Sequence, residues 1–216
     1  MKIGIVGAAG RMGRMLISAV QASEGAQLAG GTEAADHPEM GRDLGELAGG
    51  EAAGVALSSD PRGLFDVADV IIDFTVPTAT AAHAILAAQT GTALVIGTTG
   101  LDTDQQGAID MAGEKAAIIQ AANFSVGVNV LLGLVEKAAA ILPDAYDIEI
   151  VEMHHHHKVD APSGTALALG QAAATGRGVQ LDDVACKARD GIVGARPRGE
   201  IGFATLRGGD VVGDHT

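Results

Sequence analysis

Two segments of this sequence carry residue types that can do chemistry. In the first, Gly7-Ala8-Ala9-Gly10-Arg11-Met12-Gly13, glycines recur at every third position after a short apolar run. Between a strand and a helix, such glycines permit a tight turn and let a pyrophosphate approach the backbone at the helix N-terminus. The loop therefore predicts a bound dinucleotide, with a tight turn that holds no ligand as the alternative.

An acidic residue is expected about 20 residues beyond such a loop, where it binds the ribose hydroxyls. Glu33 meets this spacing best, while Glu24 and Asp36 are less well placed, and a solvated loop carboxylate is the alternative for Glu33. A site that prefers the phosphorylated cofactor usually has a basic side chain nearby, but Ala34 follows Glu33 here. The sequence therefore favours NADH over NADPH, with Arg11 as a substitute phosphate contact.

The second segment covers residues 152–165 and contains four consecutive histidines at 154–157. One interpretation is a metal site. Adjacent side chains on a strand point to opposite faces, so at most two of the four histidines share a face, whereas catalytic zinc usually has three protein ligands. Glu152, Asp160 or a distant residue would have to complete the site. A second interpretation is a solvated histidine run without a function.

A third interpretation of this segment is a substrate site. A histidine can donate a proton near neutral pH, and Lys158 can bind an anionic substrate. Ser163-Gly164-Thr165 is expected to open a helix, where hydroxyls and free backbone N–H groups bind carboxylates. Together these residues form a local basic pocket in a chain whose net charge is −13.

The composition restricts the class of partner. A net charge of −13 argues against nucleic acid, because phosphate binding needs a basic surface. No apolar stretch reaches the roughly 18 residues of a membrane span, and the first apolar run is too short for a signal peptide. The single cysteine cannot form an internal disulfide. We therefore expect a cytoplasmic protein that acts on a small molecule, with no membrane or nucleic-acid partner.

Strands and helices are expected to alternate through the first part of the chain. Short apolar runs predict strands at 3–6, 26–30, 67–74, 93–96 and 116–121, with helices between them and mostly loop at 32–54. Thr103 and Gln106 have the spacing of a capping box, and Ser125 is expected to cap a long helix that ends before Pro143. This alternation predicts a parallel sheet with helices on both faces.

The second part of the chain has a different pattern. The expected elements are a half-exposed strand at 147–153, a turn at 161–164, a helix at 165–174 and short strands at 201–206 and 210–213. We therefore place a domain boundary near residue 124, so that the first domain covers residues 1–124 and the second covers residues 125–216.

Several motifs spread over most of the chain belong to one pattern. They are the glycine loop, Asp73-Phe74-Thr75-Val76-Pro77, Gly97-Thr98-Thr99-Gly100, Ala122-Asn123-Phe124-Ser125-Val126-Gly127, residues 152–166, and Ile201-Gly202-Phe203-Ala204-Thr205-Leu206-Arg207. The run His-x-x-x-Lys-x-Asp-Ala-Pro-Ser-Gly-Thr-Ala within residues 152–166 is close to diagnostic. With these motifs the chain resembles the dihydrodipicolinate reductases, or 4-hydroxy-tetrahydrodipicolinate reductases, of the bacterial and plant lysine pathway.

The resemblance implies a fold and a reaction. The fold is α/β, with a Rossmann-type doubly wound parallel sheet and a smaller α+β mixed-sheet domain that binds substrate and forms a homotetramer. The reaction, in diaminopimelate and lysine biosynthesis, reduces an unsaturated cyclic imine that bears two carboxylates. Hydride passes from NADH or NADPH to the ring, and a proton follows at the adjacent carbon.

The resemblance also implies roles for individual residues. By matching position, His154 is the general acid, and Lys158 is its charged partner, which also stabilises charge on the substrate. The residues implied to bind the substrate carboxylates are His155, Ser163, Gly164 and Thr165. The residues implied to hold the cofactor are Gly7, Ala8, Ala9, Gly10, Arg11, Met12, Glu33, Gly97, Thr98, Thr99, Ala121, Ala122, Asn123 and Phe124. No catalytic metal is implied, and the family often accepts both cofactors, so NADH is a preference only.

Two alternative functions and one departure from the family accompany this prediction. A non-catalytic nucleotide-sensing protein on the same fold would not need the group formed by His154, Lys158 and Ser163-Gly164-Thr165. A metal-dependent hydrolase would use the histidine run to bind zinc. The departure is that the chain ends at Thr216, where family members continue for several dozen residues. We therefore expect the C-terminal part of the mixed sheet to be missing.

Overall fold

The computed structural model describes residues 1–216, which form two compact units, Met1–Ala121 and Ala122–Thr216. The division falls after Ala121, close to the boundary expected after residue 124. Each unit has its own sheet and its own apolar core. None of the helices has both the length and the apolar character needed to span a membrane.

The first unit is built on one parallel sheet. Its strands are β1 (Lys2–Val6), β2 (Gln27–Thr32), β3 (Leu57–Ser58), β4 (Val70–Asp73), β5 (Ala93–Ile96) and β6 (Ile118–Gln120). Its helices are α1 (Arg11–Ala22), α2 (Leu44–Leu47), α3 (Pro61–Val67), α4 (Pro77–Thr90) and α5 (Thr103–Gly113). The strand order is β3-β2-β1-β4-β5-β6, and every pair is parallel.

Strand alternation gives this sheet a core on each face. In β4, Ile71 belongs to the cluster that contains α3, α4 and α5, whereas Ile72 packs against the cluster that contains α1 and α2. Strands covered on both faces are apolar along their whole length, which is the pattern that predicts them. Val6 pairs with Asp73, so the loops that follow β1 and β4 lie side by side. Open parallel sheets bind ligands at this carboxyl edge.

The predicted capping box of α5 is wrong by one residue. Asp102, not Thr103, is the N-cap: its Oδ1 accepts a hydrogen bond from the backbone N–H of Gln105 at 2.8 Å. Gln105 Oε1 in turn accepts one from the backbone N–H of Asp102 at 2.9 Å. Both candidate pairs have the same spacing, so the pattern alone does not separate them. The ionised aspartate is the stronger cap, because its charge also interacts favourably with the helix dipole.

The predicted strand at 67–74 is too long at its N-terminal end. Residues Pro61–Val67 form α3, which Asp60 caps, and β4 begins only at Val70. Apolar residues continue from the end of the helix into the strand, so periodicity does not separate the two elements. The pattern also fails to reveal the short elements α2 and β3, which have four and two residues.

The second unit packs two long helices on a four-stranded mixed sheet. Its elements are α6 (Val126–Ile141), β7 (Ile148–His154), α7 (Gly164–Arg177), α8 (Leu181–Val184), β8 (Ala185–Cys186), β9 (Ile201–Arg207) and β10 (Asp214–His215). The order is β10-β7-β9-β8, with β7 and β8 parallel to β9 and β10 antiparallel to β7. Ser125 caps α6 as predicted. The parallel sheet and this smaller mixed sheet confirm the predicted fold class.

The last predicted strand, at 210–213, is wrong in position. The strand covers Asp214–His215 instead, after a loop in which Gly209 has a φ of 55°, in the left-handed region. Backbone hydrogen bonds join this loop to the histidine segment. The antiparallel register pairs His215 with Glu152, so it brings another histidine beside the segment that carries the predicted chemistry.

Replacing Gly13 by alanine is expected to destabilise the first unit. A Cβ at Gly13 would lie 2.3 Å from the carbonyl oxygen of Gly7 and 2.6 Å from the backbone of Ala8, so the backbone would have to move. We expect the free energy of unfolding, measured in urea, to fall by about 1–3 kcal/mol, as at other overpacked sites.

Gly107 of α5 is the matched control for this substitution, because a Cβ there would meet no atom within 4 Å. Gly107→Ala is expected to be neutral or to raise the free energy of unfolding by up to about 1 kcal/mol, the difference in helix propensity between the two residues. Equal losses in both variants would contradict the close-packing explanation for Gly13.

Candidate active site

Because side chains alternate between the two faces of β7, a glutamate and a histidine of this strand point towards the core. Ile150, Glu152 and His154 lie on the buried face of the strand, whereas Glu149 and Val151 are exposed. Glu152 is 1% exposed and His154 is 8% exposed. Burying a carboxylate is costly unless its oxygens are hydrogen-bonded. The partners of Glu152 therefore determine what this pair can do.

Glu152 accepts hydrogen bonds at both of its oxygens. Arg207, at the end of β9, binds it in a bidentate manner: Nη1 donates to Oε2 at 2.7 Å and Nη2 donates to Oε1 at 2.8 Å. The backbone N–H of Ser163 donates to Oε1 at 3.0 Å, and His154 Nδ1 lies 2.6 Å from Oε2. The register explains how the arginine reaches Glu152, because Arg207 pairs with His154 across β7 and β9.

These contacts keep Glu152 ionised. Burial raises the pKa of the Glu152 carboxyl, but the hydrogen bonds from Arg207, His154 and Ser163 outweigh burial and lower that pKa to about 2. An ionised carboxylate can only accept hydrogen bonds. The hydrogen that Glu152 shares with His154 therefore belongs to Nδ1.

The His154 ring also contacts β10 and the loop before it. The ring of His215 lies edge-on to that of His154, with 5.0 Å between centroids. A Cβ on Gly213 would lie 2.8 Å from His154 Nε2, so only a glycine lets the loop pass this close. The N–H of His155 donates to the carbonyl of Val211 at 2.7 Å, which holds the loop in place.

Helix α7 begins beside Glu152. Ser163 is its N-cap: Oγ accepts a hydrogen bond from the N–H of Ala166 at 3.1 Å and lies 2.8 Å from His215 Nε2. Burial lowers the pKa of His215, and electrostatic interactions with His154 and Lys158 lower it further. His215 is therefore mainly neutral at pH 7, and it orients Ser163 without adding charge.

Two residues of the predicted substrate set begin α7. Gly164 and Thr165 occupy its first two positions, where backbone N–H groups have no partner within the helix. Thr165 Oγ1 accepts a hydrogen bond from Asn123 Nδ2 at 3.1 Å, so the structure brings Asn123 of the predicted cofactor set next to Thr165. A helix N-terminus of this kind binds carboxylates.

Lys158 lies after the turn that follows β7. Its Nζ is 2.8 Å from Asp160 Oδ1, and its side chain is mostly covered. Burial raises the pKa of Asp160, but the hydrogen bond from Lys158 outweighs burial and lowers that pKa overall. The backbone carbonyl of Asp160 accepts a hydrogen bond from Arg207 Nη2 at 2.6 Å. Through this contact, the segment that carries Lys158 is tied to the arginine that holds Glu152.

Only the first residue of the histidine run lies on a strand. β7 ends at His154, while His156 and His157 form a turn in which their ring centroids lie 3.8 Å apart. Strand alternation therefore does not divide the four histidines between two faces, and that expectation is wrong for the last three. No group of three or more His, Cys, Asp or Glu side chains in residues 1–216 lies close enough to hold a metal ion.

The first unit has a cavity of about 550 Å³ at the carboxyl edge of its sheet. Gly7, Gly10, Glu33 and Ala34 are among its lining residues. Gly7 has a φ of 69°, and a Cβ there would also lie 2.7 Å from Thr75. Gly10 precedes α1, and no side chain caps that helix. A cradle without side chains at an uncapped helix N-terminus fits a pyrophosphate, and the neighbouring carboxylate of Glu33 fits a ribose diol.

A buried polar network supports this cavity. Asp73, at the end of β4, is fully buried, and its Oδ1 accepts hydrogen bonds from the N–H and the hydroxyl of Thr75 at 2.9 and 2.6 Å. His83 Nδ1 lies 2.8 Å from Asp73 Oδ2. Burial raises the pKa of Asp73, but the hydrogen bonds from His83 and Thr75 outweigh it and lower that pKa. Thr98, predicted to bind the cofactor, donates its hydroxyl to Asp73 Oδ1 at 3.3 Å, so its side chain belongs to this network.

The remaining residues of the glycine loop have mixed positions. Ala8 and Ala9 are buried in the core beneath the loop, so only their backbone is available to a ligand. Arg11 and Met12 are exposed at the start of α1. The two exposed side chains are free to contact a ligand that extends out of the loop.

The other predicted cofactor residues fall in two groups. Gly97 follows β5, and a Cβ there would lie 2.0 Å from Phe74, so the position requires glycine. Thr99 is exposed, and Ala121 ends the first unit with its N–H donating at 3.1 Å to the last carbonyl of β5. Ala122, Asn123 and Phe124 belong to the second unit.

Comparisons with known proteins identify the family. The family described as dihydrodipicolinate reductase, N-terminus, matches residues 1–124, and the one described as dihydrodipicolinate reductase, C-terminus, matches residues 127–216. The chain is 56% identical to 4-hydroxy-tetrahydrodipicolinate reductase of Ruegeria pomeroyi, over 98% of this chain and 78% of the relative. It is also 56% identical to the reductase of that name from Parvibaculum lavamentivorans, over 100% of this chain and 80% of the relative. The chain belongs to the dihydrodipicolinate reductase family.

A solved structure supports membership of the dihydrodipicolinate reductase family. A dipicolinate-bound dihydrodipicolinate reductase from Paenisporosarcina sp. TG-14 matches 100% of this chain and 81% of its own, with a TM-score of 0.71 and 27% identity. A myo-inositol dehydrogenase from Lactobacillus casei, in complex with NAD(H) and myo-inositol, matches 81% of this chain and 53% of its own. Its TM-score of 0.52 at 16% identity shows a shared fold alone. The predicted family and the predicted class, NAD(P)H-dependent oxidoreductase, are confirmed.

Three residues around His154 were not predicted from the sequence to take part in the reduction, although the metal-site interpretation named Glu152 as a possible ligand. For Glu152 the sequence contains a usable signal. It lies two residues before His154, and residues two apart on a strand point to the same face. Arg207 had none, since its position depends on the register of β7 against β9. His215 lies in the strand whose position was predicted wrongly.

Glu152 is expected to make the stability of this reductase family member depend on pH. Its carboxyl has a pKa of about 2 in the folded chain, against about 4.3 when unfolded. The stabilisation is therefore fully present above the unfolded pKa and is lost as the pH falls through the folded one. We expect this group to contribute on the order of 3 kcal/mol to the fall in the free energy of unfolding between about pH 5 and pH 2. Urea unfolding of Glu152→Gln should show a shallower fall, and parallel curves would contradict this prediction.

Proposed function

We propose that this chain reduces 4-hydroxy-tetrahydrodipicolinate to tetrahydrodipicolinate with NADH or NADPH, as a step of diaminopimelate and lysine biosynthesis. The observation that carries the proposal is the contact of His154 with the ionised Glu152 beside the start of α7, because it joins a proton donor to a carboxylate-binding helix N-terminus. Relatives at 56% identity are named for this substrate. A solved member of the family is described as bound to dipicolinate, a cyclic dicarboxylate.

In the proposed reaction, the hydroxyl group and a hydrogen of the neighbouring ring carbon leave as water, which gives an unsaturated ring. A hydride then adds to one carbon of the ring and a proton adds to the adjacent carbon, so the net change is the replacement of the hydroxyl group by hydrogen. A nicotinamide dinucleotide bound at the glycine loop supplies the hydride. The proposed cofactor-binding residues are Gly7, Ala8, Ala9, Gly10, Arg11, Met12, Glu33, Gly97, Thr98, Thr99, Ala121, Ala122, Asn123 and Phe124. The uncapped start of α1 and the cavity lined by Gly7, Gly10 and Glu33 support this assignment.

His154 is the proposed source of the proton. Its Nδ1 is bound to Glu152, so Nε2 is the nitrogen left to donate to the ring carbon next to the one that receives the hydride. Lys158 is its proposed charged partner. The ammonium group now pairs with Asp160, which is half exposed, and a substrate carboxylate takes the place of that partner.

The substrate carboxylates are proposed to bind at the start of α7. Gly164 and Thr165 offer backbone N–H groups there, and the hydroxyl of Ser163 lies beside them. His155 follows the proposed proton donor and is held by its backbone bond to the loop before β10. Anionic groups are favoured at this position, because the helix dipole adds to the hydrogen bonds.

His154→Gln is expected to lower kcat by about 10²–10⁴-fold, because it removes a general acid. The measurement is the oxidation of NADH, followed by absorbance with the dicarboxylic imine as substrate, and the dissociation constant for NADH is expected to stay close to that of the unmodified chain. His157→Gln, which changes the neighbouring turn, is the matched control and should retain kcat. A change confined to cofactor affinity would contradict the proposed role.

Binding of NADH by the unmodified chain without turnover would overturn the reductase function in favour of a nucleotide sensor.

The cofactor preference gives a second prediction. Ala34 lines the cavity beside Glu33 and offers no charge to a 2′-phosphate, so kcat/KM is expected to be higher with NADH than with NADPH. Ala34→Arg is expected to shift the ratio towards NADPH by about tenfold or more, the effect of one hydrogen bond to a charged group. Ala34→Gln is the control, since it adds a long side chain without charge. Equal efficiency of the two cofactors with the unmodified chain would show that the missing basic residue has no influence.

We also propose that the protein is a cytoplasmic homotetramer. Val130 and Leu134 lie four residues apart on α6 and are exposed, which is typical of a surface that another chain covers. The single cysteine, Cys186, is a free thiol, as is usual in a reducing compartment.

A further inference from the structure

We infer that Glu152 is a positioning residue that fixes which nitrogen of His154 exchanges a proton. Arg207 and the backbone N–H of Ser163 hold the Glu152 carboxylate in the orientation that this requires. The inference rests on the proposed role of His154 in the reduction, and it adds the group that prepares His154 for that role.

Hydrogen-bond donors occupy most of the acceptor positions of Glu152. Arg207 and Ser163 together place two N–H donors on Oε1 and one on Oε2. A carboxylate has about four acceptor positions, so one position remains on Oε2, where His154 Nδ1 lies at 2.6 Å. Every other contact of this carboxylate already uses it as an acceptor. If Nδ1 carried no hydrogen, its lone pair would face a lone pair of Oε2 at this distance, and the two acceptors would repel each other.

Arg207 keeps Glu152 from turning towards any other donor. Its bidentate contact fixes the plane of the carboxylate as well as its position. The guanidinium is itself anchored, since Nη2 donates to the carbonyl of Asp160 and Nη1 to that of Leu206, at 2.6 and 2.7 Å. The pairing of His154 with Arg207 across two strands sets all of these positions through the backbone.

The consequence for His154 is that proton exchange occurs at Nε2. Nδ1 carries a hydrogen whether the ring is neutral or charged, and the negative charge of Glu152 balances the charged form. Nε2 lies beside the position that a side chain on Gly213 would fill, 2.8 Å away. A side chain at this position would crowd that nitrogen, and glycine avoids this.

Glu152→Gln tests the inference, because it keeps the size of the side chain and changes only its donors and acceptors. The amide oxygen can replace Oε1 and accept from Ser163 and Arg207. The amide NH₂ then takes the place of Oε2, where it loses the hydrogen bond from Arg207 Nη1 and faces His154 Nδ1, which must become an acceptor. The opposite orientation would place the NH₂ against two donors, Ser163 N–H and Arg207 Nη2, and is therefore less favourable. We therefore expect the neutral His154 ring to change from the Nδ1–H to the Nε2–H tautomer. We also expect kcat to fall by about 100-fold, with a smaller change in KM, since the variant loses the correctly protonated acid.

Nitrogen-15 NMR of the chain labelled at its seven histidines reads the tautomer directly, and the spectrum of His154→Gln assigns the signal. Glu149→Gln is the matched control. Glu149 lies on the exposed face of the same strand and is also paired with arginines, Arg189 and Arg196. The Glu149→Gln variant is expected to have the same His154 tautomer and the same kcat as the unmodified chain.

Two results would overturn the inference. The first is the finding that neutral His154 in the unmodified chain carries its hydrogen on Nε2. This measurement needs no variant, so it remains possible even if Glu152→Gln does not fold. The other is a folded Glu152→Gln that keeps the Nδ1–H tautomer, whatever its activity, since a lower rate alone would then show only a structural role. Failure of the proposed function would be a different result. In that case the unmodified chain would not turn over the substrate, but His154 would still carry its hydrogen on Nδ1.

Discussion

The bidentate contact between Glu152 and Arg207 is the interaction on which the rest of the candidate site depends. Removing a carboxylate from water costs several kcal/mol, and that cost is offset only when good hydrogen bonds replace the lost hydration. Here two guanidinium N–H groups, the amide of Ser163 and the ring of His154 supply them. The same contacts join β7, β9 and the start of α7, so the groups proposed for catalysis are placed by one charge pair.

The two units use a similar arrangement in different settings. In each, an ionised and buried carboxylate near the end of a parallel strand holds Nδ1 of a histidine, Asp73 with His83 and Glu152 with His154. In the first unit the pair stabilises the loops around a cavity that fits a dinucleotide. In the second unit the pair orients the ring of His154, the proposed proton donor. A carboxylate that can only accept hydrogen bonds therefore orients a ring in both cases.

The parts of the structure that could be predicted from the sequence are those with a local physical cause. Long buried strands and the glycine loop follow from periodicity and from backbone freedom, and the N-cap Ser125 follows from short-range hydrogen bonding. Contacts that depend on strand register could not be predicted in this way. The partnership of Arg207 with Glu152 is one example, because nothing within either strand specifies how β7 and β9 align.

The alternation of β7 restricts how relatives of this chain can differ in length. Adding or deleting one residue between Ile148 and Glu152 would exchange the two faces of the strand beyond that point, so that Val151 or Met153 would enter the core and the charged pair would face solvent. Insertions and deletions should therefore be tolerated poorly in this strand. The exposed loop at 187–199 has no alternation of buried and exposed side chains to preserve, so changes in length should accumulate there over evolution.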